Sequence, residues 1–166
     1  AFVSVPTTHS KTSDQPTVDR LRVEAPGKGL DSGETMAITT SGAGTDIAKL
    51  LPSLKGKVAA PSIRVPTPNG SLIPMTVEFE QPTTKAEIHR LLKAASKGPL
   101  KGIMAFEEQG PMDNQSMLGR TESSIVNGSL TTVSGSGRVA VIWIWYDNEF
   151  GYSNRVLDLV RLIRES

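Results

Sequence analysis

Residues 138–165 read RVAVIWIWYDNEFGYSNRVLDLVRLIRE, and the reading of this stretch decides the fold. Residues 139–145 form a nearly unbroken run of β-branched, aromatic and small apolar side chains, the pattern of a central strand. Val156, Leu159, Val160 and Ile163 then recur at helical spacing, with Arg161, Arg164 and Glu165 elsewhere on the turn. That predicts an amphipathic C-terminal helix. Between strand and helix, amide, hydroxyl, carboxylate and guanidinium groups crowd into one short connection. So polar a junction sets hydrogen-bonding groups where a buried strand ends, and it raises the question of what they act on.

The flanking sequence builds a sheet around that strand. KGIMAFEE (101–108) predicts another strand, and 109–137 predicts short strands and turns, with Asn127-Gly128 as a hairpin signal. QPTTKAEIHRLLKAAS (81–96) predicts a helix. Thr84 and Glu87 have capping-box spacing, Ile88, Leu91, Leu92 and Ala95 form an apolar stripe, and Gly98 and Pro99 stop the helix. In SLIPMTVEFE (71–80), Ile73, Met75, Val77 and Phe79 alternate with Pro74, Thr76, Glu78 and Glu80. This is a half-buried strand in which Pro74 argues for an edge position or a bulge. A strand is expected within 57–65. A helix is expected within 42–54, with Pro52 ending it or opening another turn. AFVSVP (1–6) reads as a strand ended by Pro6. Residues from about 7 to 35 are polar and rich in Gly and Pro. They predict an irregular loop, either functional or a disordered excursion. The expected architecture is a single domain over 1–166 of class α+β: a mixed, largely antiparallel sheet with helices packed on one face.

The 166 residues suit one compact core, and 37% hydrophobic with 21% charged residues is a globular balance. A net charge of +1 gives no reason to expect nucleic acid as a partner. The absence of cysteine excludes disulfides, thiolate metal ligands and a cysteine nucleophile within this chain. No stretch has transmembrane length, and AFVSVPTTHS lacks the charge and apolar core of a signal peptide. The expectation is a cytoplasmic protein with no membrane partner. The first residue is not Met, which suggests a chain processed or cut from something longer.

Few side chains offer chemistry. His9, just past the first strand, is either a general base or an ordinary loop histidine. Thr12, Ser13 and Asp14 add hydroxyls and a carboxylate near it. His89, mid-helix beside Arg90, reads as surface. Ser41 and Gly42 precede a predicted helix, where free N–H groups hold either a phosphate or nothing more than a cap. Arg64 ends a strand, placed for a phosphate or for a salt bridge inside the sheet. No Gly-rich phosphate loop follows a first strand, so the chain contains no dinucleotide-binding unit.

IRVPTPNGSLIPMTVEFE (63–80), LLPSLKGK (50–57) and WYDNEFGYSNRVLDLV (145–160) closely resemble the catalytic domain of phosphorylating glyceraldehyde-3-phosphate dehydrogenases; TTHSKTSDQPTVD (7–19) does so more weakly. The resemblance covers nearly the whole chain and is weakest between Arg20 and Met36. It implies a mixed sheet with helices on one face, joined in the family to a separate NAD-binding domain. It also implies oxidation of an aldehyde phosphate through a cysteine thiolate, with NAD and inorganic phosphate. Residue by residue, the resemblance makes His9 the catalytic histidine. Thr12 and Asp14 would lie around the substrate phosphate, Ser41 and Gly42 at the attacking phosphate, and Arg64 between the two anions. Asn148 would bond the nicotinamide carboxamide, and Tyr152 would pack near that ring.

The departures are specific. The family's cysteine would lie upstream of His9, so NAD is expected as cofactor only if a nucleotide-binding domain is supplied. VEAPGKGLDSGE (23–34) replaces an arginine-rich loop, Ser41 stands for threonine, and Thr45 stands where lysine is common. Three functions are compatible with this pattern. One is the catalytic portion of such an oxidoreductase, incomplete as it stands and inactive alone. Another is a catalytically silent binding or scaffolding domain. The third is a repurposed non-covalent enzyme using His9 and Asp14 on a phosphorylated carbonyl compound. Expected partners are a second copy of the chain or a complementary dehydrogenase-like chain, together with inorganic phosphate or a phosphorylated small molecule.

Overall fold

A computed structural model of the chain describes residues 1–10 and 36–165. Nine strands form one sheet: β1 (Phe2–Ser4), β2 (Thr7–His9), β3 (Ala37–Thr40), β4 (Val58–Ala59), β5 (Pro61–Arg64), β6 (Ser71–Glu78), β7 (Met104–Glu107), β8 (Ser124–Val133) and β9 (Val139–Tyr146). The helices are α1 (Ala43–Leu50), α2 (Lys85–Lys97) and α3 (Phe150–Glu165). The main strand order is β3-β5-β2-β6-β9-β8-β7, and β1 joins β4 to β6. Pairs β1–β4, β2–β5 and β7–β8 are parallel, and the other five are antiparallel. The fold is α+β, a mixed and mostly antiparallel sheet with helices on one face, as the sequence predicts.

The 139–145 run is central, as its apolar character requires: β9 lies between β6 and β8 and pairs with all eight residues of β6. Ile88, Met104, Val126, Ala140 and Ile142 form the buried core, with Met75, Leu92, Phe106 and Ile144 packed against it. Complete burial of one such side chain contributes about 2 kcal/mol. Thr84 Oγ1 accepts the N–H of Glu87 at 3.2 Å, and Gly98 closes α2, so both ends of that helix follow the sequence signals.

Four expectations are corrected. Pro74 occupies neither an edge nor a bulge, because β6 is flanked on both sides. Its register lies between Leu72, paired with Thr8, and Thr76, paired with Ser4. The neighbouring ladder is interrupted there by Pro6, where β1 gives way to β2. Asn127-Gly128 is no hairpin turn but lies inside β8, at a register shift. The Asn127 amide is fully buried and donates to the carbonyls of Gly110 and Pro111. A Cβ on Gly128 would stand 2.7 Å from Phe106 Cζ, so the glycine serves close packing. His89 is half-buried edge-on against Phe106, with ring centroids 4.9 Å apart, and is not a surface residue. Burial first, then the Lys85 charge, lowers its pKa. Finally, the residues from 7 do not open a loop: Thr7–His9 is strand β2.

The apolar stripes of α1 and α3 form as predicted, yet Leu50, Leu51, Val156, Leu159, Val160 and Ile163 are exposed. Helix α3 is fixed at its start. Gly151 packs against the Glu122 carbonyl, and Arg155 reaches Gly102 O and Ser123 Oγ.

Candidate functional site

Register gathers the polar residues. Strands β2 and β5 run parallel with His9 opposite Arg64, so both end at the same edge of the sheet. Strand β6 runs against β2 and begins there with Ser71, which is paired with Tyr146, the last residue of β9. Four strands therefore deliver His9, Arg64, Ser71 and Tyr146 to one rim, and the chain beyond β9 adds Asp147 and Asn148.

Arg64 Nη1 lies 2.8 Å from His9 Nδ1 and donates to Ser10 O at 3.0 Å. His9 Nδ1 is also 2.9 Å from Ser10 O. A guanidinium only donates and a carbonyl only accepts. Nδ1 therefore accepts from Arg64 when bare, or donates to Ser10 O when protonated. In the second state of a neutral ring, Nε2 keeps its lone pair and can take a proton. Arg64 thus sits where it biases the tautomer that a base requires. Tyr146 meets the His9 ring edge-on at 6.2 Å. Burial raises its pKa, while a bond with Ser71 and the Arg64 charge act the other way.

Asn148 is held from both sides. Its Oδ1 accepts from Ser71 Oγ at 2.7 Å, and its Nδ2 donates to Ser10 Oγ. Ser10 N–H in turn donates to Ser71 Oγ at 3.3 Å. Both serines are buried. The neighbouring Asp147, also buried, starts α3 by accepting from Glu149 N–H at 3.1 Å and Phe150 N–H at 2.9 Å. Its other oxygen accepts from Gly119 N–H at 3.0 Å. Burial alone would push the Asp147 carboxyl up. These backbone donors and Asn69 outweigh it and hold the pKa below the ordinary aspartate value.

Of the residues singled out in the sequence, His9, Arg64 and Asn148 converge. Ser41 and Gly42 do not join them by register. Ala37 is opposite Arg64, so Ser41 follows the far end of β3, roughly 13 Å along the strand. Ser41 Oγ accepts Ala43 N–H at 3.1 Å, a local cap at the start of α1. Tyr152 is exposed near the start of α3. Thr12 and Asp14 lie outside the described residues. Sequence reasoning missed Ser10, Ser71, Tyr146 and Asp147. Only Asp147 carried a signal, an aspartate three residues before the first helical position. Among the described residues, no group of three or more His, Asp or Glu side chains could hold a metal ion, and no helix is long and apolar enough to cross a membrane.

Comparison with known proteins decides the ancestry. The family described as "Glyceraldehyde 3-phosphate dehydrogenase, C-terminal domain" matches residues 2–148. The chain belongs to this family. It is 43% identical to glyceraldehyde-3-phosphate dehydrogenase 2 of Trichormus variabilis, over 98% of this chain and 47% of that protein. It is 40% identical to glyceraldehyde-3-phosphate dehydrogenase of Geobacillus stearothermophilus, over 95% of this chain and 46% of that protein. The testis-specific enzyme of Bos taurus is 39% identical, over 93% of this chain and 39% of its own length. The chain therefore spans about half the length, or less, of the curated relatives it matches. With no cysteine, these 166 residues supply no thiol nucleophile and cannot alone carry thiolate chemistry.

Proposed function

We propose that the β2–β5–β6–β9 rim is the catalytic-domain part of a phosphorylating glyceraldehyde-3-phosphate dehydrogenase site. A nucleotide-binding domain and a cysteine from outside these residues would complete it. The observation that carries the reading is the Arg64–His9 contact at 2.8 Å, beside a clamped Asn148 on the same rim. A permanent cation next to an imidazole suits an aldehyde that bears a phosphate. Arg64 holds the anion bidentately, and His9 takes a proton from the nucleophile as it adds to the aldehyde carbon. Thr12 and Asp14 are assigned to the substrate phosphate, while Ser41 and Gly42 are assigned to a second anion position at the α1 N-terminus.

The residues present fit NAD as cofactor. Asn148 keeps one N–H and one lone pair beyond its bonds to Ser10 and Ser71, which match a carboxamide, and Tyr152 offers an exposed ring. NAD, when bound, would supply the hydride acceptor. Oligomerisation or docking with a dehydrogenase-like chain in the cytoplasm belongs to the same proposal.

The test mixes the purified chain with a partner carrying a nucleotide-binding domain and a cysteine, and follows NADH absorbance with glyceraldehyde-3-phosphate and phosphate. Turnover with wild type and its loss with His9→Asn support the reading. A second reading, a silent anion-binding domain, is favoured by the absence of cysteine from the chain. It predicts no turnover, but phosphate binding by calorimetry that Arg64→Ala abolishes. Neither turnover nor phosphate binding would sink both.

A further inference from the structure

We infer that Ser71 and Tyr146 are positioning residues that lock the Asn148 amide in one of its two flipped orientations, so that the rim recognises a primary carboxamide. The choice of ligand rests on the function proposed above; the locking does not.

A serine hydroxyl has one donor and two acceptor sites. Ser71 Oγ receives the Ser10 N–H, a donor that cannot reverse its role. It also bonds the Tyr146 phenol and Asn148. If the phenol donates, both acceptor sites of Ser71 are filled, and its single proton must go to Asn148. Asn148 then presents Oδ1 to Ser71 and Nδ2 to Ser10, the arrangement observed. If the phenol accepted instead, Ser71 would have to accept from Asn148, and the amide would turn over.

The charge of Arg64 selects between these states. It lies close enough to favour the ionised phenol, so the oxygen lone pairs of Tyr146 turn toward it and the O–H turns toward Ser71. Tyr146 and Ser71 are cross-strand partners in register, which fixes this geometry in the sheet. Ser71 is 1% and Ser10 0% exposed, so water does not compete for these bonds. The outward edge of Asn148 is thereby defined as one donor and one acceptor in fixed order, the complement of a primary carboxamide. A freely flipping amide would present both orders.

Nitrogen-edited NMR of the Asn148 side-chain amide in the whole chain tests this, with the signal assigned by its loss in Asn148→Asp. In wild type one amide proton should be protected from exchange with water. Tyr146→Phe, which keeps the ring, and Ser71→Ala should each speed that exchange by about fivefold, the equilibrium share of one hydrogen bond, with Ser71→Thr restoring protection. Nicotinamide is the binding probe: it should shift the Asn148 resonance in wild type and bind more weakly in the first two variants. Unchanged protection in Tyr146→Phe with an intact backbone spectrum overturns the locking, even if Ser71→Ala fails to fold. Normal protection in wild type with no Asn148 shift on adding nicotinamide overturns the carboxamide assignment instead.

Discussion

Replacing Asp147 by alanine tests how the rim is held. Its carboxylate caps α3 through two backbone N–H groups and ties the loop at Gly119 to the same point. Loss of a helix cap costs about 1 kcal/mol. Removing the charged acceptor of the Gly119 N–H adds about 1.5 kcal/mol. Asp147→Ala should therefore lower stability by about 2.5 kcal/mol at neutral pH, read as a reduced urea midpoint with an unchanged slope. Asp147→Asn keeps one neutral acceptor and should lose about half of that. The sign with pH follows from the lowered pKa. Stability from this carboxylate is fully present above the ordinary aspartate range and is lost as pH falls through its depressed value. The gap between wild type and Asp147→Ala should thus narrow in acid. A loss below 0.5 kcal/mol, roughly the level of an ordinary surface substitution, would refute the reasoning. So would a gap that widens as pH falls.

Gly128→Ala should destabilise by about 1–3 kcal/mol, because its Cβ would meet Phe106 Cζ at 2.7 Å and Glu107 O at 3.1 Å. Gly135→Ala, where a Cβ meets nothing within 4 Å, is the control and should stay within about 0.5 kcal/mol in the same denaturant titration. His89 should titrate in an NMR pH series below its ordinary 6.5, since burial and the charges of Lys85 and Lys93 oppose the imidazolium while Glu108 favours it. Its neutral form supports the fold above the ordinary histidine range, and that support is lost as pH falls. Glu108→Gln should move the His89 midpoint further down, and an upward move would refute the assignment of charges.

Much of the fold was legible because local patterns were unambiguous. The 139–145 run could only be a covered strand, Thr84 and Glu87 marked a helix start, and the alternation of Ile73, Met75 and Val77 fixed a strand face. Pro74 and Asn127-Gly128 misled for one physical reason. Proline and Asn-Gly preferences describe a strand or turn in water, and here distant segments override them. The break at Pro6 accommodates Pro74, and the carbonyls of Gly110 and Pro111 bury the Asn127 amide. The stripes of α1 and α3 were read correctly as helical, but periodicity says nothing of what covers a face.

By itself the sequence determined the element types, the absence of a thiol, and the family, because these depend on neighbouring residues or on simple presence. Only the tertiary structure decided which polar groups meet. His9 and Arg64 are 55 residues apart, and Ser10 and Asn148 are 138 apart. What joins them is the parallel register of β2 with β5 and the antiparallel return of β6 and β9. Ser71 looked like a strand's first residue and Ser10 like loop filler. Strand pairing, a long-range property that no local spacing encodes, made them the clamp on Asn148.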